Sequence, residues 1–306
     1  MQLAGITFFT HKYCIDNIFV LLYPLFTARH QIVPMISNLK RILKKYPLIT
    51  TLYREFRDKR AIQRKPHNCP LGFIFAGNGA MEMGLYEPNE TRYLREQFAC
   101  MDTVVNVGAN YGYYALLARS AGKRVIAFEP HQQNYLVMLR NLELNNWHDV
   151  EAYPVALADS TGLLRIYGSG TGASLIPGWA GSQPAHYRLV PVTKLDRILG
   201  ESLKGQRTIF IIDVEGAEYP ALLGAQNQLL LDPAPIWFIE ISISGLQPAG
   251  TVVNPHLMDT FQLFWGAGYT SHQLTDGLRE ITQETVEDWI QSPPQDFGGN
   301  FVFRKP

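Results

Sequence analysis

Val104-Val105-Asn106-Val107-Gly108-Ala109-Asn110-Tyr111-Gly112 carries an apolar run into a glycine turn, and Tyr113–Ala121 continues at helical spacing. Strand, turn and helix N-terminus in that order form a ligand-binding crest. Gly108 permits the sharp bend, Gly112 lets the backbone approach a ligand and the helix pack close, and the first helical N–H groups face a carboxylate or phosphate. In open α/β sheets such a turn sits at the carboxyl edge, where ligands bind. Helix packing alone is the competing explanation for Gly-x-x-x-Gly. The spacing also departs from the Gly-x-Gly-x-x-Gly of dinucleotide sites, which disfavours NAD.

Outward from that turn, Arg124–Phe128 reads as a second strand and ends on Glu129, 21 residues beyond Gly108. An acid at that place accepts hydrogen bonds from ribose hydroxyls, which predicts a nucleoside unphosphorylated at the sugar; capping the next helix is its alternative role. Further on, Ile209-Phe210-Ile211-Ile212-Asp213-Val214-Glu215-Gly216-Ala217-Glu218 puts two carboxylates at i and i+2 after four apolar residues. On an extended segment Asp213 and Glu215 project to one side, above the carboxyl edge and beside the glycine turn. Glu218 serves either the site or a helix N-terminus, and Glu240 ends another apolar strand near the same crevice. His131 and His186 are outsiders: the first reads as a helix-start residue and the second as part of a loop.

The surrounding texture is strand alternating with helix. Thr103–Val107, Arg124–Phe128, Val150–Leu157, Arg188–Val192, Thr208–Val214, Ile236–Ile241 and Asn300–Phe303 read as strands, with a further strand after Gly268. Helical patterns cover Glu90–Phe98, Tyr113–Ala121, Asn134–Asn145, Ala217–Leu231 and His256–Trp265. This alternation requires a mainly parallel sheet with helices on both faces. Gly168–Pro184 is a glycine-rich loop after a hairpin-like stretch. With Ser169, Thr171, Ser174, Trp179, His186 and Tyr187 in and beside it, it is the candidate acceptor loop. Gly72–Gly84 reads as a hairpin or lid.

The chain has 306 residues, 46% of them hydrophobic, enough for a sizeable core and against a disordered or fibrous protein. Basic and acidic residues number 27 each, which argues against a protein devoted to nucleic acid. The balance is uneven, however: residues 38–65 hold ten basic residues against two acidic. That stretch offers itself to an anionic partner or membrane surface, or is a solvated helix face, the default expectation. Residues 1–36 contain an apolar run of only nine residues, Ile18–Phe26, too short to span a bilayer and without signal-peptide order. An upstream extension before Met35 is the expectation for them. Cys14, Cys69 and Cys100 fit neither a disulfide framework nor a zinc site, and reduced thiols point to a cytoplasmic location. Three segments are expected: residues 1–36 as a leader, 37–83 as a basic helical segment with hairpin, and 84–306 as the catalytic domain.

Val-x-Val-Gly-Ala-Asn-x-Gly, Phe-Glu-Pro, Leu-x-x-Asn-x-x-Leu-Asn and Ile-Asp-Val-Glu-Gly-Ala-Glu, in this order and spacing, resemble the FkbM-type methyltransferases, a branch of the class I S-adenosylmethionine-dependent fold. The likeness runs from about Gly84 to Phe303. It implies a Rossmann-like α/β fold, with a seven-stranded, mostly parallel sheet whose last strand is antiparallel. It also implies S-adenosylmethionine as cofactor and hydroxyl groups of sugars, polyketides or other secondary metabolites as acceptors. Carried over position by position, it places Asn106, Gly108, Ala109, Asn110 and Gly112 along the methionine part of the cofactor and Glu129, followed by Pro130, at the ribose. Asn145, Ala156 and Leu157 fall near the adenosine, and Asp213 and Glu215 at the methyl-transfer site, Asp213 first as base or orienting group.

Two positions depart from the family pattern: Asn106 stands where Asp is usual, and Ile211 where Lys is usual. Three alternatives to simple O-methyl transfer remain open at this level. They are an Mg²⁺-assisted reaction using Asp213, Glu215 and Glu240, although no metal is expected; a nucleotide-dependent oxidoreductase; and a cofactor-binding partner protein without activity. Within O-methyl transfer itself, the expected hydroxyl acceptor is a small molecule or a glycan.

Overall fold

A computed structural model of the chain describes residues 61–294 and 298–306. They belong to a unit running from Arg54 to Pro306. The expectations for residues 1–36, and for the basic segment as far as residue 60, lie outside the described residues.

The fully apolar stretches form the centre of the main sheet. Strands β3 (Thr103–Val107) and β9 (Thr208–Ile212) are buried at every position. Both faces of such a strand must therefore be covered, as the alternation of strands and helices predicts. The chain contributes β1 (His67–Cys69), β2 (Phe73–Phe75), β3, β4 (Arg124–Phe128), β5 (Glu151–Tyr153), β6 (Ala156–Leu157), β7 (Gly162–Tyr167) and β8 (Tyr187–Thr193). It continues with β9, β10 (Ile236–Ser242), β11 (Thr270–Leu274), β12 (Leu278–Ile281) and β13 (Gly298–Arg304). The main sheet runs β12-β11-β13-β10-β9-β3-β4-β5. β5, β4, β3, β9 and β10 are mutually parallel, and β13 is antiparallel to both β10 and β11. The expected antiparallel last strand is therefore present. The expected count of seven is exceeded by β12, which folds back on β11 as an edge hairpin. Chain order leaves β3 in opposite directions, towards β4 on one side and β9 on the other, and this switch point fixes where a ligand crevice opens.

Helices α1 (Gly79–Glu82), α2 (Pro88–Phe98), α3 (Tyr113–Ser120) and α4 (Gln132–Leu144) precede the switch of direction. Helices α5 (Leu195–Leu199), α6 (Glu218–Leu223), α7 (Leu257–Gly266) and α8 (Gln283–Gln291) follow it. Strand alternation divides the core in two. Val104, Ile209, Ile211 and Phe238 pack with α2, α3, α4 and the β1–β2 hairpin. Val105, Val107, Phe210, Ile212 and Trp237 pack with α5 to α8. Phe73 and Phe75 meet the Tyr113 ring edge-on at 6.0 Å each, so the glycine-rich hairpin is part of the core.

Differences from the sequence-based expectation have local causes. Val150–Leu157 is two strands: Pro154, which has no N–H to donate, separates β5 in the main sheet from β6 in a small β6-β8-β7 sheet. The single helix expected over Ala217–Leu231 is interrupted after α6 at Gly224. A Cβ there would lie 2.2 Å from the Ala158 carbonyl oxygen, so close backbone approach overrides helical continuity. Helix α8 has no counterpart in the sequence-based expectation, although its signal is present in Thr282, whose hydroxyl caps the Thr285 N–H at 3.3 Å.

Candidate active site

A cleft of about 550 Å³, counted with its open mouth, lies at the carboxyl ends of β3, β4 and β9. Gly108 forms its floor. Its φ is +80°, its N–H donates to the Phe128 carbonyl at 2.9 Å, and a Cβ on it would lie 1.7 Å from the Asp213 carbonyl oxygen. Asp213 N–H donates in turn to the Val107 carbonyl at 3.0 Å, so the ends of β3 and β9 are closed onto each other. Only a residue without a side chain fits between them.

Glu129 is buried at the cleft wall. Its Oε2 accepts from Asn110 N–H at 2.7 Å and its Oε1 from His131 N–H at 2.8 Å. One carboxylate thus ties the glycine turn to the start of α4 while keeping lone pairs for a ligand. Desolvation pushes its carboxyl up to about 7, against the opposing pull of those two N–H groups.

Of the residues expected to bind a cofactor, Gly108, Asn110, Glu129, Pro130, Ala156, Leu157 and Asp213 line this cleft together with Glu215. Four others do not. Asn106 is buried inside β3, in register with Ala127 and Ile211, and strand alternation turns it to the opposite face from the cleft-lining Val107. Ala109 packs in the core with α3. Gly112 serves helix packing: a Cβ there would meet the Met138 and Leu116 side chains at 2.8 and 2.9 Å. Asn145 is taken up by β2, accepting from Ile74 N–H and donating to the Ile74 carbonyl, both at 2.8 Å. Asn141 holds Ala76 in the same way, and this pair of amides is why the hairpin is fastened to α4.

Asp213 is half-buried, and its carboxyl is pushed well up, first by desolvation and then by the negative charges of Glu240, Glu215 and Glu87. Glu240 lies one position past the Ile239–Ile212 pairing, beside Asp213 on the neighbouring strand. Among the described residues no basic side chain offsets the charge of Asp213, Glu215, Glu240 or Glu87. Nor is any group of three His, Cys, Asp or Glu arranged to hold a metal ion among them.

Glu215 is an anchor rather than a free carboxylate. Its Oε2 accepts from the Trp179 indole N–H at 2.8 Å, and its carbonyl accepts from the Ser174 hydroxyl at 2.6 Å. Trp179 is buried, and Gly216 leaves room for it: a Cβ on Gly216 would lie 2.4 Å from the indole ring. The glycine-rich loop is thereby docked on the acidic motif, and its residues Gly170, Thr171, Ala173 and Leu175 line the cleft. Trp179→Phe removes the donor and leaves a desolvated carboxylate unpaired, a loss of ~1–3 kcal/mol. A melting temperature unchanged from the parent, together with unchanged hydrogen exchange over residues 168–184, would contradict that role. Glu218 accepts from Gly216 N–H at 2.8 Å and starts α6, so it acts as a helix N-terminal acid. His131 stands at the start of α4 without a side-chain capping bond, with Arg188 Nη1 3.1 Å from its ring Nε2, and His186 is exposed in its loop.

Sequence reasoning misses Glu87. It stands before α2 with φ +41°, accepts from the Tyr114 hydroxyl, and adds negative charge to Asp213 and Glu240. A Glu-Pro pair entering a helix signals a helix start and nothing more. That it reaches the end of β9 depends on how α2 and α3 pack.

The family model for the methyltransferase FkbM domain matches residues 106–270, more than half of the chain. The chain belongs to the FkbM methyltransferase family. Membership makes S-adenosylmethionine the methyl donor of this FkbM protein. No curated protein sequence matches the chain. Among solved structures, an O-methyltransferase from Bacillus cereus in complex with SAH is 12% identical, at a TM-score of 0.40, over 71% of this chain and 80% of that one. A SAM-dependent methyltransferase from Agrobacterium tumefaciens is 11% identical, at a TM-score of 0.42, over 79% and 70%. Precorrin-6y C5,15-methyltransferase from Geobacter metallireducens is 10% identical, at 0.39, over 76% and 95%. At such scores the fold assignment rests on the strand order of this FkbM protein itself.

The two departures from the family pattern meet in the structure. Asn106 and Ile211 are register partners across β3 and β9. A buried ladder position that loses its usual acid and its usual lysine together keeps no unpaired charge, which a single replacement would have left.

Proposed function

We propose that the chain transfers a methyl group from S-adenosylmethionine to a hydroxyl of a small-molecule or glycan acceptor, a sugar, polyketide or other secondary metabolite. The observation that carries the proposal is the side-by-side placement of Glu129, Gly108 and Asp213 around one cleft at the switch point of the sheet. The residues fit the cofactor. Glu129 retains acceptor capacity for ribose hydroxyls, the Gly108 backbone has no side chain to keep a ligand away, and the acid edge carries no basic partner to repel a cation. When bound, the cofactor supplies a methyl group made electrophilic by its sulfonium. Asp213 accepts the acceptor hydroxyl's proton at its carboxylate, and Glu215 holds Trp179 and the loop in place. Positioning of the two substrates accounts for ~7–11 kcal/mol of such a barrier and a general base for ~10²–10⁴-fold. Placement by the sheet edge therefore dominates.

Family membership supports methyl transfer over hydride transfer. The test is incubation of a cell extract with trideuteromethyl-labelled cofactor, followed by mass spectrometry. A labelled hydroxyl-bearing product is expected. Binding of S-adenosylhomocysteine without any labelled product would instead fit a cofactor-binding partner protein.

The raised Glu129 carboxyl gives a pH signature. Its folded value, about 7, lies above the ordinary value of 4.5 for such a group. Its contribution to the stability of the free protein is thus complete below ~4.5 and is lost as pH rises through about 7. Ribose hydroxyl donors favour the ionised carboxylate, so S-adenosylhomocysteine binding should tighten across the same window with release of up to one proton. Calorimetry in buffers of different ionisation enthalpy reads that proton directly. A flat affinity from pH 5 to 8 in the parent would remove Glu129 from the ribose site.

A further inference from the structure

Asn134, the third residue of α4, is 2% exposed and lines the cleft. Its Nδ2 donates to the Gly170 carbonyl at 3.0 Å and reaches Glu129 Oε1 at 3.4 Å. The Gly170 carbonyl is an acceptor only, so the chemistry itself assigns the amine end of the amide to it. Oδ1 is left buried and without a protein hydrogen-bond partner. A buried acceptor of this kind is expensive to leave unmade, and here it belongs to a residue that lines the ligand cleft.

We propose that Asn134 reads the nucleoside of the cofactor, its Oδ1 accepting a hydrogen bond from a donor group of adenosine. This rests on the assignment of the cleft to S-adenosylmethionine. Glu129 stands beside it for the ribose, and Phe128, Val155, Leu157, Ile166 and Leu175 give the same cleft an apolar lining suited to the faces of a base. The donors available on adenosine are the adenine 6-amino group and the ribose hydroxyls. Through Nδ2 the same side chain holds Gly170, so a nucleoside that satisfies Oδ1 also fixes the amide that fastens the cofactor end of the loop. Ligand identity and the anchoring of Gly170 are thereby coupled at one residue.

Titration calorimetry of the full chain decides the matter with four probes: S-adenosylhomocysteine, S-inosylhomocysteine, and the 2′-deoxy and 3′-deoxy forms of S-adenosylhomocysteine. The parent is expected to bind at least one analogue about tenfold or more weaker than S-adenosylhomocysteine. The analogue penalised identifies the donor. In Asn134→Leu, S-adenosylhomocysteine should weaken by about tenfold, and the penalty for that same analogue should shrink to about twofold or less. Should Asn134→Leu fail to fold, Asn134→Ser, which withdraws the amide from the cleft, is judged by the same comparison. Unchanged affinity and an unchanged penalty for every analogue would overturn the proposal, since a water molecule would then suffice for Oδ1. Failure of the parent to bind S-adenosylhomocysteine at all would overturn the cofactor assignment itself, a different result from failure of the Asn134 role.

Discussion

Gly108→Ala is expected to abolish S-adenosylhomocysteine binding and to lower the stability of the domain by several kcal/mol. The added Cβ would lie 1.7 Å from the Asp213 carbonyl oxygen, which is backbone and cannot rotate away, and the residue holds φ +80°. Left-handed strain alone costs ~1–3 kcal/mol in a side-chain-bearing residue, and the overlap adds to it. Relief requires β3 and β9 to part at their ends, which breaks the Asp213 N–H bond to Val107 and moves the floor of the cleft. Gly112→Ala is the matched control. Its φ of +87° is similarly strained, but its Cβ meets the Met138 and Leu116 side chains rather than backbone and it lies off the cleft, so stability should fall while affinity stays within about tenfold of the parent. Thermal melts followed by calorimetry on both variants give the comparison. A Gly108→Ala protein with parental melting temperature and affinity would refute the strand-end closure described above.

Asp213→Asn is expected to reduce turnover by ~10²–10⁴-fold while leaving cofactor affinity within about tenfold, the signature of a group acting in the chemical step. The carboxyl is pushed well above its usual range by desolvation and by Glu240, Glu215 and Glu87. A carboxylate that ionises late is a stronger base once ionised, so parental turnover should climb with pH above the ordinary carboxylate range. The amide that replaces the carboxyl in the variant cannot titrate, and that limb of the profile should vanish. Single-turnover rates across pH 5 to 9 with a labelled acceptor provide the measurement. Undiminished turnover in Asp213→Asn would leave Asp213 with orientation at most and move attention to Glu87 or Glu240.

Several parts of the site are legible in the sequence because they rest on local rules. The glycine turn, the acid closing the second strand and the paired acids after four apolar residues each announce themselves through spacing, and Gly108, Glu129 and Asp213 do converge. The roles within those motifs are less legible. Asn106 and Gly108 are two residues apart in one motif, but the first lies within β3 and is buried in the sheet, whereas the second lies in the turn just past the strand end, at the cleft floor. Asn145 sits in a motif shared with the family, yet its amide is consumed by β2, some seventy residues earlier. Glu215 and Asp213 are equivalent acids in their motif, and only the position of Trp179 shows that the Glu215 carboxylate is occupied.

The sequence by itself determined the fold class, the alternation of the central strands with helices and the acids available at the sheet edge. Those properties follow from hydrophobic periodicity, turn residues and the position of acids at strand ends, all of which act within a few residues of chain. Only the tertiary structure decided that the Glu215 carboxylate is an anchor, that Asn134 lines the cleft and the charge of Glu87 acts on Asp213, and that Asn106 and Ile211 are register partners. These depend on side chains far apart in sequence meeting in register or across a cleft, where desolvation and hydrogen-bond satisfaction act on the assembled neighbourhood rather than on the local chain.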